Sequence, residues 1–70
     1  MPTIPLTGDH ITLGQALKAS GLADTGGQAK YLVRQGQVLV NGTVETQPGR
    51  KLFVGDRFRL NDADEWTVGR

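Results

Sequence analysis

Apolar residues recur at two different spacings along this chain, and the change of spacing divides it. Leu13, Ala16 and Leu17 fall on one side of a helix. Thr12 precedes them and Gln15 follows Thr12 by three residues, the capping-box arrangement in which two side chains satisfy two orphan backbone amides. A helix is therefore predicted from about Leu13 to Ser20. Gly21 stands where left-handed backbone ends a helix, and Leu22 is placed to fold back on the last turn. The arrangement then repeats. Thr25 and Gln28 form a second cap, Ala29, Leu32 and Val33 supply the next apolar stripe, and Gly36 stops it, so a second helix is predicted from about Gly26 to Gln35. Two short capped helices with a short connection make a helix–turn–helix unit, a geometry not confined to DNA readers.

Beyond Gly36 the period becomes two. Val38 and Val40 alternate with polar neighbours as in a strand, and Asn41-Gly42 is a strong signal for a tight hairpin returning through Thr43-Val44-Glu45. Gln47 to Arg50 reads as a flexible Pro-Gly loop. Strands are predicted over Leu52-Phe53-Val54, Arg57 to Leu60 and Trp66 to Val68, with turns at Gly55-Asp56 and at Asn61 to Glu65. In the Arg57 strand, Phe58 and Leu60 face inward and Arg57 and Arg59 outward. Residues 3–6 are predicted to add a short strand that Pro5 confines to an edge, followed by a turn over Thr7 to His10. The expected fold class is α+β: two short helices packed on a small, mainly antiparallel twisted sheet.

Length sharpens this reading. With 70 residues the chain is expected to form one domain over residues 1–70, with a thin core and little depth for a buried cleft, so binding on an outer face is favoured. The absence of cysteine excludes disulfides, thiolate metal sites and a cysteine nucleophile, and favours the cytoplasm. Met1 to Pro5 does not read as a secretory leader, and no apolar stretch reaches the length of a membrane span.

The formal charge of +1 says little, but its distribution is uneven. Between residues 28 and 59, Lys30, Arg34, Arg50, Lys51, Arg57 and Arg59 outnumber Glu45 and Asp56, whereas both flanking segments are net acidic. Clustered positive charge is the electrostatic footprint of a polyanion partner. Lys30 and Arg34 stand four apart, so both project from the second helix on the side away from its apolar stripe. Thr25, Gly26 and Gly27 open that helix, where free amides and the helix dipole attract anions and glycines permit close approach.

The run GGQAKYLVRQGQVLVNG followed by VGDRFRL resembles the alpha-L RNA-binding motif of the family typified by ribosomal small-subunit protein S-four. The matching positions are Thr25, Ala29-Lys30, Leu32-Val33, Gly36 to Gly42 and Gly55-Asp56, and the resemblance spans roughly residues 11–60. It looks closest to small bacterial proteins made of little else. The resemblance implies binding of structured ribosomal or transfer RNA, with the ribosome as a further partner, through the second helix and the neighbouring hairpin region. A monomer with no cofactor and no metal is expected besides. The resemblance transfers the RNA contact to Lys30, and by position to Arg34, Arg50 and Lys51. Thr25, Gly26, Gly27 and Arg57 complete the candidate set. Many family members carry a basic residue where this chain has Gly26, which implies weaker contact there, with the amides of Gly26 and Gly27 as partial substitutes.

The remaining residues with chemistry have simpler roles. His10 is expected to be structural or at the surface, and Asp62, Asp64 and Glu65 to form a solvated turn without a calcium-loop pattern. Tyr31 is assigned to the rim of the core, with base stacking as the alternative, and Phe53 and Trp66 are assigned to the core. Arg57 and Arg59 either extend the basic face or blunt an exposed strand edge. One His and one Ser leave almost no nucleophile–base pairing, so an enzyme is not expected. The competing readings are a ribosome-associated protein-interaction module and a sulfur-carrier-like module. The second would require a terminal Gly-Gly, where this chain reads Val68-Gly69-Arg70.

Overall fold

Both helices begin where their caps predict. The structure, a computed structural model, describes residues 2–70; Met1, and with it part of the leader expectation, lies outside the described residues. Strand β1 covers Thr3–Pro5 and β2 Ile11–Thr12, α1 Leu13–Ala19 and α2 Gly26–Arg34. At α1 the Thr12 hydroxyl accepts from the Gln15 amide at 3.2 Å and the Gln15 side chain accepts from the Thr12 amide at 3.1 Å, closing the capping box. At α2 only half of the box forms. Thr25 accepts from the Gln28 amide, but Gln28 reaches past the cap to accept from the Asp24 amide at 2.6 Å.

The remaining strands are β3 (Val38–Val40), β4 (Thr43–Val44), β5 (Lys51–Leu52), β6 (Arg57–Leu60) and β7 (Trp66–Gly69). Five of them form one sheet in the order β1-β7-β6-β3-β4, antiparallel except for the parallel pair β1–β7. The β3–β4 hairpin turns on Asn41 at φ 52° and Gly42 at φ 84°, the two positive values a type I′ turn needs. Gly36 links α2 to β3 at φ 75°, a left-handed conformation costly for any residue with a side chain.

Alternation decides what is buried. Val38, Val40, Phe58 and Val68 sit on the core side of the sheet, where they meet Leu13, Ala16, Leu17, Ala29 and Val33 from the helices. Ile4, Leu6, Ala23 and Leu52 complete that cluster, and Ile11, Leu22, Leu32, Leu60 and Trp66 pack against it half-buried. The predicted α+β arrangement is the observed one. No helix of the described residues is long and apolar enough to cross a membrane.

Four expectations need correction. The predicted strand at Leu52-Phe53-Val54 is instead Lys51–Leu52, paired with β2, and Phe53 and Val54 turn into solvent. Phe53 is half exposed rather than core, because only Leu52 of that segment faces inward. Tyr31 is 60% exposed and covers no core rim, since the helix turn that buries Val33 carries it outward. The Gln47–Arg50 loop is tied to α1 rather than free: Leu13 donates to the Arg50 carbonyl at 2.8 Å and Gly14 to the Pro48 carbonyl at 3.0 Å. These bonds satisfy amides that the first turn of α1 leaves without partners.

Candidate nucleic-acid interface

Because Leu13, Ala16 and Leu17 are drawn into the core, α1 must present Gln15 and Lys18 to solvent. The same logic in α2 buries Ala29 and Val33 and leaves Lys30 and Arg34 outside. The helices pack against one another, and the tied loop closes the end of the space between them. The result is an open groove of about 310 Å³. Thr12, Gly14, Gln15 and Lys18 line it from α1 and its cap, Gly26 and Lys30 from α2, and Pro48 and Gly49 from the loop.

The groove is cationic without local compensation. Among the described residues no carboxylate pairs with Lys18, Lys30 or Arg34. Uncompensated ammonium groups beside a concave surface attract an anion more strongly than scattered surface charge does. Gly26 stands on the groove wall with no atom within 4 Å of where a Cβ would be, and Gly27 has only the Thr25 hydroxyl near, at 3.9 Å. Neither needs positive φ, so the fold itself does not require glycine at either place.

Thus the structure brings Lys30, Gly26 and the predicted helix start together with Lys18, which sequence reasoning assigned to an acidic-leaning segment and passed over. The signal was present, since Lys18 follows Gln15 by one turn on the polar side of α1. Which face of α1 meets which face of α2 is set by the packing alone.

Other expected contacts are placed differently. Arg50 donates to Glu45 at 2.8 Å, so its charge is already partnered. That guanidinium holds the Glu45 carboxyl below its usual value; the amides of Gln47 and Thr46 act in the same direction, and burial opposes them. Lys51 is exposed on β5 opposite Thr12 and next in line to the groove. Arg57 lies on the face of the sheet away from the core, 3.8 Å from Glu65, and is not part of the groove. Its neighbour Arg59 donates to the Asn61 carbonyl. Both arginines belong to β6, the middle strand of the sheet, so they do not blunt an edge.

Two short helices, a hairpin beyond them and a lysine-lined groove at their junction define a small helix-and-sheet domain. The chain belongs to the S4-domain family, whose model matches residues 4–68. It is 43% identical over 65 residues to a Bacillus subtilis (strain 168) protein named "Probable ribosome maturation protein RlbA", covering 93% of this chain and 92% of that one. It is also 41% identical over 46 residues to the Escherichia coli (strain K12) protein named "Putative RNA-binding protein YbcJ", covering 66% of each.

Proposed function

We propose that this chain binds structured RNA without catalysing a reaction, and that the RNA is ribosomal. The observation that carries this reading is the groove lined by Lys18 from α1 and Lys30 from α2, neither partnered by a carboxylate among the described residues. The phosphate backbone lies along that groove and over Arg34, one helical turn beyond Lys30. Thr25, Gly26 and Gly27 let a phosphate approach the α2 amides closely. Lys51 extends the contact beyond the loop. Arg50 joins only when Glu45 releases it, and Arg57 stays outside the contact. The S4-domain membership and the words "RNA-binding" and "ribosome maturation" in the names of the relatives support RNA over other polyanions, and the second supports ribosomal over transfer RNA. Ser20, the one serine, donates its hydroxyl to the Leu17 carbonyl at 2.9 Å, which suits a helix end rather than a nucleophile.

Gel-shift titration against ribosomal RNA fragments and transfer RNA at two salt concentrations tests the proposal. Affinity should fall steeply with salt, and Lys30→Ala with Arg34→Ala should flatten the log–log slope by about 0.7–0.9 for each phosphate contact removed. Lys18→Ala should flatten it by a similar step. No binding at low salt, or a slope indifferent to all three substitutions, would refute it.

A further inference from the structure

The small β2–β5 ribbon has two faces of opposite character. Ile11 pairs with Leu52 and both turn toward the core. Alternation then places Thr12 and its partner Lys51 on the other face, together with His10 and Phe53, which flank the two strands at the next matching position. The His10 and Phe53 rings sit 6.0 Å apart, tilted at 50°, and both residues are exposed. The backbone of Phe53 is tied into the adjoining turn. Its amide donates to the Asp56 carboxylate at 2.7 Å, and the other oxygen of that carboxylate accepts from Asn41 at 3.2 Å.

Phe53 keeps half of its surface in solvent. Phe53 and Val54 together offer on the order of 200 Å² of apolar surface, far below the roughly 800 Å² per partner of a stable protein interface. Lys51 shares the face of the rings, two residues before Phe53, and Thr12, two residues from His10 or about 7 Å along the strand, lines the lysine groove. Exposed aromatic rings on a lysine-bearing face that continues through Thr12 to a groove lined by two further lysines suit nucleotides better than a peptide.

We propose that His10 and Phe53 form a stacking platform for one unpaired base of the RNA whose backbone occupies the Lys18–Lys30 groove, with Lys51 on the adjoining phosphate. This rests on the RNA-binding reading above and narrows it: the preferred target is a helix interrupted by an unpaired nucleotide, not a continuous duplex. Specific RNA recognition commonly uses such splayed-out bases, because a continuous A-form helix hides its base edges.

The test compares a blunt RNA duplex with the same duplex carrying a single bulged fluorescent adenine analogue. The intact chain should bind the bulged form more tightly and quench the analogue. Phe53→Leu should abolish the quenching and weaken bulge binding by about 5- to 150-fold, as expected for about 1–3 kcal/mol per stacked base, while leaving blunt-duplex affinity unchanged. Phe53→Tyr should restore both signals, which a loss of folding would not allow. If the intact chain binds neither RNA, the groove reading itself fails. If it binds both equally and Phe53→Leu changes nothing, the platform is overturned and the groove stands. Self-association that Phe53→Leu removes, with RNA binding unaltered, would also overturn the platform and assign Phe53 to a protein contact.

Discussion

Replacing Gly26 and Gly27 with alanine should make the domain more stable and a worse RNA binder. The two glycines open α2, and glycine in a helix costs up to about 1 kcal/mol relative to alanine. At these first two positions the low end applies, about 0.5 kcal/mol each, because a first-turn residue is only partly committed to helical bonding. The added methyl groups meet nothing at Gly26 and only the Thr25 hydroxyl at 3.9 Å at Gly27, so no clash offsets the gain. A gain of about 1 kcal/mol raises Tm by about 4–8 °C in a domain of this size. Binding should move the other way. A methyl on the groove wall at Gly26 holds a phosphate off the amides, and one lost hydrogen bond to a charged group is worth about 1.5–3 kcal/mol, or about 10- to 150-fold in affinity. Thermal melting by circular dichroism and filter binding to ribosomal RNA, on the same preparations, read both effects. A stabilised variant that binds as well as the parent shows that the glycines serve no contact. A destabilised one shows that the space around them is not open.

Three further outcomes follow from particular contacts. Glu45→Gln should cost about 0.2–1 kcal/mol of stability by breaking an exposed ion pair, yet strengthen RNA binding and steepen its salt slope by about 0.7–0.9, because it frees Arg50; gel shifts at several salt concentrations check this. Since the folded-state pKa of Glu45 is lowered, its stabilising contribution is present above the usual glutamate value of about 4.3 and is lost as pH falls through the folded value, so the difference in Tm between Glu45→Gln and the parent should shrink in acid melts. Gly36→Ala should cost about 1–2 kcal/mol and lower Tm measurably, because the backbone there is left-handed while the space for a methyl, 3.8 Å from Val44, is adequate.

What could be read from the chain alone was whatever depends on neighbours in sequence. Thr12 with Gln15 and Thr25 with Gln28 marked both helix starts, Gly36 the end of α2, and Asn41-Gly42 the hairpin, because caps and tight turns are closed by groups within a few residues of each other. The apolar spacing named most of the core for the same reason, and it put Lys30 and Arg34 on the outside. Tertiary packing decided the rest. Two-residue strands such as β2 and β5 carry too short a pattern to be seen, and only their pairing turned Phe53 outward beside His10. The partner of Arg50 lies across a loop whose path is set by bonds to α1. The position of β6 in the middle of the sheet took Arg57 away from the groove. Above all, Lys18 and Lys30 are twelve residues apart in the chain and become walls of one groove only because two apolar stripes must be buried against each other, a constraint that acts through space and leaves no local mark in the sequence.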